Sequence, residues 1–351
     1  MTVADGSAGL PEHIENEAQL EDVLTTPTPE LAASLARQEG DVLILGVGGK
    51  MGPTLARLAR RALDQAGSTA RVIGVARFSQ SKLQCQLEDA GIQTITADLL
   101  EPGTLAGLPD APNVIFLAGR KFGSTGQEEL TWAMNTYLPA LVADRYRRSR
   151  IVALSTGNVY PLTLVDGRGP TESQTPDPLG EYAQSCLGRE RMFQYFSVRW
   201  RTPVAIIRLN YAIDLRYGVL VDVGRKVYHG EPIDLAMGHV NVIWQGDANA
   251  AVLRSLAHCA SPPLLLNLTG PEVLSIREVA VQFGRLFGKG PVFCGSEAPT
   301  ALLSDASRYV RLMGPPRVST QRLIAWAAHW IHLGGRSLGK PTHYEARDGK
   351  F

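Results

Sequence analysis

The chain has 351 residues, 44% of them hydrophobic and 20% charged, with a formal net charge of +1. This is the composition of an ordinary globular protein with room for one large or two modest domains, and the near-zero charge argues against nucleic acid or an acidic membrane surface as a partner. Cys85, Cys186, Cys259 and Cys294 are widely spaced and form no CxxC pair, so a disulfide framework and a zinc site are not expected.

The N-terminal residues are acidic and lack a positive region followed by an apolar run, and no apolar run approaches the roughly 20 residues of a spanning helix. A cytoplasmic protein is expected. Residues 1–40 read as a helical extension: "ENEAQLEDVL" and "TPELAASLARQ" both have helical periodicity, the second with Thr28-Pro29-Glu30 at its start. The rhythm then changes. "DVLILG", "RVIGVAR", "IQTITAD", "NVIFLAG", "RIVALST" and "TPVAIIRLN" read as short buried strands, most of them separated by helical stretches. Such alternation predicts an α/β fold, a Rossmann-type doubly wound parallel sheet. The long polar, Pro- and Gly-rich segment 160–180 is a loop of the kind that carries function. Tyr182 starts the next helix. A further strand is expected at "VNVIWQ", and helices follow Gly270. The expected division is a dinucleotide-binding domain over 41–212 and 239–269, and a smaller substrate-binding region over 213–238 and 270–351.

The first strand runs into "GVGGKMG". As GxGxxG the spacing fails at Met51; as GxxGxxG it fits, with Gly46, Gly49 and Gly52 framing Lys50 and Met51, and Pro53 opening a helix. Such a turn lets the helix N-terminus approach a diphosphate. The alternative is a tight turn with no ligand. There is no GK[ST], so a triphosphate P-loop is excluded. At the end of the second strand, where NAD sites carry an acid for the ribose 2′-hydroxyl, the chain has Ala76 and then Arg77. A guanidinium suits a 2′-phosphate, so NADP(H) is favoured over NAD(H); an ordinary solvated arginine is the alternative.

In this order the motifs resemble those of the extended short-chain dehydrogenase/reductases, the NAD(P)-dependent epimerase/dehydratase group, over roughly residues 41–335. "GVGGKMG" is similar to the glycine motif. "TADLL" offers Asp98, with Leu99 beside it, for the adenine. "VIFLAG", with Ala118 and Gly119, is similar to "VxHLAA", and "NTYLPAL" puts Asn135 on the next helix. "ALSTGNVYP" resembles "SSxxVYG" and places Thr156 at the catalytic Ser/Thr position. "PTESQTPDPLGEY" resembles the segment that leads to the catalytic tyrosine, here Tyr182. The resemblance implies hydride transfer at a hydroxyl-bearing carbon of a sugar-like small molecule, with Tyr182 as acid/base and Thr156 holding the same oxygen.

The family's tyrosine is followed four residues later by a lysine. Here that residue is Cys186. A free tyrosine titrates near 10, and bringing it to about 7 takes roughly 4 kcal/mol, which a neutral thiol does not supply. Arg189 shares the helical face of Tyr182 and Cys186 and reads chiefly as a solvated or carboxylate-paired residue. Lys121, in the glycine-bearing loop after the fourth strand, is the favoured displaced cation or substrate binder; a surface lysine on a mobile loop is the alternative. Asn158, Asn210 and Arg216 are the expected substrate contacts, with Glu172, Glu181, Tyr211 and Tyr217 nearby; "RLNYAIDLRYG" departs from the usual "NxYGP". No metal site is expected, and a homodimer is possible. A catalytically silent dinucleotide-binding sensor or partner subunit, with the N-terminal extension as a docking arm, is the competing reading. The polar tail "KPTHYEARDGKF" reads as either disordered or covering a site.

Overall fold

The computed structural model describes residues 9–79, 81–121, 123, 126–340 and 342–349. Seven strands form one sheet: β1 Val42–Leu45, β2 Val72–Ala76, β3 Gln93–Thr96, β4 Asn113–Phe116, β5 Arg150–Thr156, β6 Val204–Leu209 and β7 Leu264–Leu268. Their order across the sheet is β7-β6-β5-β4-β1-β2-β3, and every pairing is parallel. β1, β4 and most of β5–β7 are buried on both faces, as helices on either side of a parallel sheet require. Strand order reverses between β1 and β4, where Leu45 sits opposite Phe116. In such folds this switch point opens the crevice that receives ligands.

Helices α1 Glu17–Thr25 and α2 Pro29–Ala36 precede the sheet, and α3 Gly52–Gln65 and α4 Ser81–Glu88 follow its first two strands. Helix α5 Glu128–Trp132 passes through a π-helical turn, Ala133–Tyr137, into α6 Leu138–Arg145. Helix α7, Gly180–Trp200, buries Ala183, Ser185, Cys186, Arg189, Glu190, Phe193 and Ser197, the i, i+3, i+4, i+7 spacing of one face. A second core gathers around α8 Val219–His229, α9 Ile276–Phe287 and α10 Thr320–His332, with Phe283, Trp244, Trp326 and Trp330 at its centre.

The N-terminal segment is not an appendage. Ile14, Leu20, Val23 and Leu24 belong to the second core, and Leu31 and Leu35 to the core beneath the sheet. Glu21 accepts from both Arg57 (2.9 Å) and Arg216 (2.7 Å) and so ties the two regions together. A segment this embedded is not a free docking arm. The division near 239 also differs from expectation: Val240, Val242 and Trp244 pack into the second core, and only Ile243 faces the sheet core. "VNVIWQ" breaks into two short pairings, His239–Val240 and Ile243–Trp244, and does not run as one strand. The tail is anchored too: Tyr344 is fully buried in the second core, and both Thr342 hydrogen bonds go to Asp222 (2.9 and 2.6 Å).

Candidate active site

Gly46 ends β1 with φ +91°, and a Cβ there would lie 2.6 Å from the Ala118 nitrogen. A side chain is barred at this position by both conformation and space. Gly52 opens α3 against the Val47 backbone. The helix has no side-chain cap and no acidic residue in its first turn, so its free N–H groups and positive dipole end face outward. An uncapped N-terminus behind a glycine turn at the sheet's switch point fits the diphosphate of a dinucleotide. Gly46, Gly49, Lys50, Met51 and Gly52 line a cavity of about 250 Å³ together with Lys121, Thr156, Asn158 and Asn210.

Thr156 ends β5. Its hydroxyl donates to Asn158 Oδ1 (2.8 Å) and accepts from the Asn158 backbone N–H (3.1 Å). Tyr182, half-buried, lies beside Thr156, whose side chain acts to lower its phenol, and Thr156 and Lys121 next to it line the cavity. The expected catalytic pair is therefore together in space, with the expected substrate contact Asn158 bonded to it. Burial holds the Tyr182 phenol far above its ordinary range. The neighbouring Cys186 pushes in the same direction, while Arg189 and the Thr156 side chain oppose the shift. Cys186 packs against Val159 and Tyr160 in a small apolar cluster, and burial raises its thiol as well.

Two lysines stand on the cavity walls. Lys121 Nζ lies 5.8 Å from the Tyr182 ring centroid, and burial pushes its ammonium down to about 8. Lys50 Nζ lies 3.6 Å from the Tyr217 ring centroid and donates to the Ala212 carbonyl (3.0 Å). The Lys50 residue is exposed, and desolvation at its charged end shifts the ammonium down to about 7.

The residue misjudged from sequence is Arg189. It is neither solvated nor carboxylate-paired: it is 6% exposed, and its guanidinium donates to the Leu154 carbonyl (2.6 Å) and to Asn135 Oδ1 (2.8 Å). Asn135, inside the π-helical turn, also accepts from Arg120 N and donates to Arg120 O and Ser185 Oγ. π-turns of this kind often mark functional positions. One residue on, Glu190 receives the Arg208 guanidinium (2.7 Å), with both groups fully buried, and Ser155 Oγ donates to the same carboxylate (2.7 Å). This network fastens α7 to β5 and β6 directly below Thr156.

Other expectations fare differently. Arg216 does not line the cavity; it is held by Asp214 (2.7 Å) and Glu21 (2.7 Å) and braces the N-terminal helix. Glu172 accepts from the Asn267 backbone N–H (2.8 Å), and Glu181 from Trp132 Nε1 (2.6 Å). Ala118 abuts Gly46, and Gly119 lies over the Arg189 guanidinium. A second cavity adjoins the first at Asn158 and Tyr211, bounded by Asp177, Met237 and the tail residues Ala346, Arg347 and Gly349. The tail thus covers part of the site. Arg347 is fixed there by the Thr300 and Ala236 carbonyls (2.7 and 3.0 Å). Among the described residues, no group of three or more His, Cys, Asp or Glu is placed to hold a metal ion, and no helix is long and apolar enough to cross a membrane.

Comparison with known proteins bears on the fold and the cofactor. No protein-family model matches the chain, and no curated protein does. Solved structures do. UDP-glucuronic acid 4-epimerase from Bacillus cereus, in complex with UDP-glucuronic acid and NAD, aligns with TM-score 0.67 and 18% identity over 84% of this chain and 99% of its own. MoeE5 in complex with UDP-glucose and NAD aligns at 0.66 and 20%, over 84% and 99%. UDP-glucose 4-epimerase from Thermotoga maritima, with UDP-glucose, aligns at 0.66 and 14%, over 83% and 98%. The fold is therefore the Rossmann-like α/β fold of these aligned epimerase structures, here with seven parallel strands. The preference for NADP(H) is overturned, because the MoeE5 and Bacillus cereus epimerase structures hold NAD. The chain offers a physical reason. Arg77 lies 3.9 Å from the Asp98 carboxylate, a negative group that would repel a 2′-phosphate at that end of the site.

Proposed function

We propose that the chain is an NAD-dependent epimerase or oxidoreductase acting on a hydroxylated sugar carried by a nucleotide, such as a UDP-hexose or UDP-hexuronic acid. The observation that carries this reading is Tyr182 beside Thr156, with Thr156 lining the same cavity as the glycine loop. The first three solved structures named above bind UDP-sugars, which supports that substrate class. NAD, when bound, supplies a hydride acceptor and donor. The backbone at Gly46 and Gly49 and the start of α3 would hold its diphosphate; Asp98 and Leu99 would border the adenosine; Ala118 and Gly119 would lie along its path. Tyr182 takes and returns the proton of the reacting hydroxyl, Thr156 and Asn158 orient that oxygen, and Lys121 stabilises negative charge on Tyr182. Asn210 reaches the sugar.

The test is to incubate the purified chain with NAD and, separately, UDP-glucuronic acid, UDP-glucose and UDP-galactose. Sugar products are followed by proton NMR and reduced cofactor by absorbance. Turnover of one of these supports the reading; tight NADH binding with no turnover of any sugar nucleotide rejects it in favour of a silent dinucleotide sensor. One observation favours that second reading, the phenol held high by burial with no lysine four residues on.

A further inference from the structure

Arg189 stands seven residues after Tyr182 and three after Cys186 on the buried face of α7. Side chains lean toward a helix N-terminus, so the long arginine stem carries the guanidinium back toward the tyrosine. Its acceptors are neutral, the Leu154 carbonyl and the Asn135 amide oxygen; its Nε is buried with no acceptor; and its carbon lies 5.5 Å from the Phe116 ring centroid. Among the described residues no carboxylate lies within ion-pair distance of it, and the adjacent Glu190 is taken by Arg208. A buried cation among neutral acceptors keeps its field, because neither a counter-charge nor water screens it. Leu154 is two residues before Thr156, and a side chain on Gly119 would collide with the guanidinium. The charge therefore sits immediately below the loop and strand end that frame the site.

We propose that Arg189 is a second, positioning cation of this site, adding to Lys121 a permanent positive charge beneath Tyr182 that Cys186 does not supply. This inference rests on the reading of Tyr182 as the acid/base. Charged or titratable groups about Tyr182 include Glu181, Cys186 and Arg189 from its own helix and Lys121 from the loop after β4, and Lys50 lines the same cavity as Lys121. The two cations nearest Tyr182 differ in kind. Lys121 loses its proton near 8, so its charge fades over the range in which a phenol begins to ionise. A guanidinium remains charged throughout, and Arg189 does lower the Tyr182 phenol.

The experiment replaces Tyr182 with difluorotyrosine, a more acidic phenol, and titrates its fluorine NMR signal in the full chain without dinucleotide or sugar. The native chain is compared with Arg189→Lys, Arg189→Gln and Arg189→Met. Loss of the charge in the Gln and Met variants should raise the apparent pKa by about one unit or more, while the Lys variant should stay within about half a unit of the native value. A folded neutral variant that titrates like the native chain overturns the proposal. Failure of both neutral variants to fold overturns it as well, since the charge would then serve folding. The titration needs no turnover. An unchanged titration with sugar turnover intact sinks Arg189 alone, and the expected shift without turnover sinks the functional reading alone.

Discussion

Lys121 and Tyr182 approach from different elements, a loop after β4 and the first turn of α7, and the ammonium lies 5.8 Å from the phenol ring. The lysine that would follow Tyr182 by one helical turn is absent, so this approach puts a titratable cation beside the tyrosine from across the sheet edge. Lys121→Ala should lower turnover by about 10²-fold or more, the range of acid–base assistance, while NADH affinity measured by fluorescence stays within a few-fold. Unchanged turnover would remove Lys121 from the mechanism.

The lysines also make stability depend on pH in a defined direction. Lys50 and Lys121 titrate near 7 and 8 in the folded chain and near about 10.4 unfolded. Between these values the unfolded chain binds more protons, so stability rises with pH from about 7 to about 10. Urea midpoints should increase over that window, and Lys50→Met should flatten the rise. A midpoint that falls between about pH 7 and about pH 9 would contradict the desolvation of these ammonium groups. Above about pH 10 the buried tyrosines, held high by desolvation, reverse the trend.

Binding of an anionic ligand between Lys50 and Lys121 restores their protons. Near pH 8, calorimetry of UDP-glucuronic acid with the NAD-loaded protein in two buffers of different ionisation enthalpy should show net proton uptake. Buffer-independent heats would place the anionic group of the ligand away from both lysines.

Below Thr156, Arg208 and Glu190 are a fully buried pair. Arg208→Ala leaves the carboxylate alone in the interior and should cost about 3–5 kcal/mol. The double variant Arg208→Met with Glu190→Leu removes both charges and should be closer to the native chain in stability. Equal losses in the two cases would mean that the pair is not electrostatically coupled.

Gly46→Ala should strain a left-handed backbone and press a methyl group into the Ala118 nitrogen. NADH binding should be lost and the melting temperature lowered. A variant that binds NADH normally would show that the turn does not hold the diphosphate.

The local features were legible in the sequence: short apolar strands between helices, glycines three apart at the first turn, and a tyrosine at the head of a helix after a Pro-rich loop. Each is set by residues near one another in the chain. The rest depended on partners distant in sequence. The spacing of Arg189 identified its helical face, but the burial of that face follows from Asn135 and Leu154 lying against it. Arg216 stood beside the expected substrate region, and only the fold brings Glu21 to it, 195 residues away in the chain. The tail and the first helices looked polar or peripheral because the core they join, around Trp326 and Phe283, draws residues from both ends of the chain.

The most direct test of the central claim is the rate at which native protein and Tyr182→Phe interconvert or oxidise UDP-glucuronic acid and UDP-glucose with NAD, with NADH affinity measured in parallel. The account predicts turnover of at least one sugar nucleotide by the native chain, a loss of about 10²-fold or more in the variant, and NADH binding nearly equal in the two. Native protein that binds NADH yet turns over neither sugar, or a Phe variant as fast as the native chain, would contradict it.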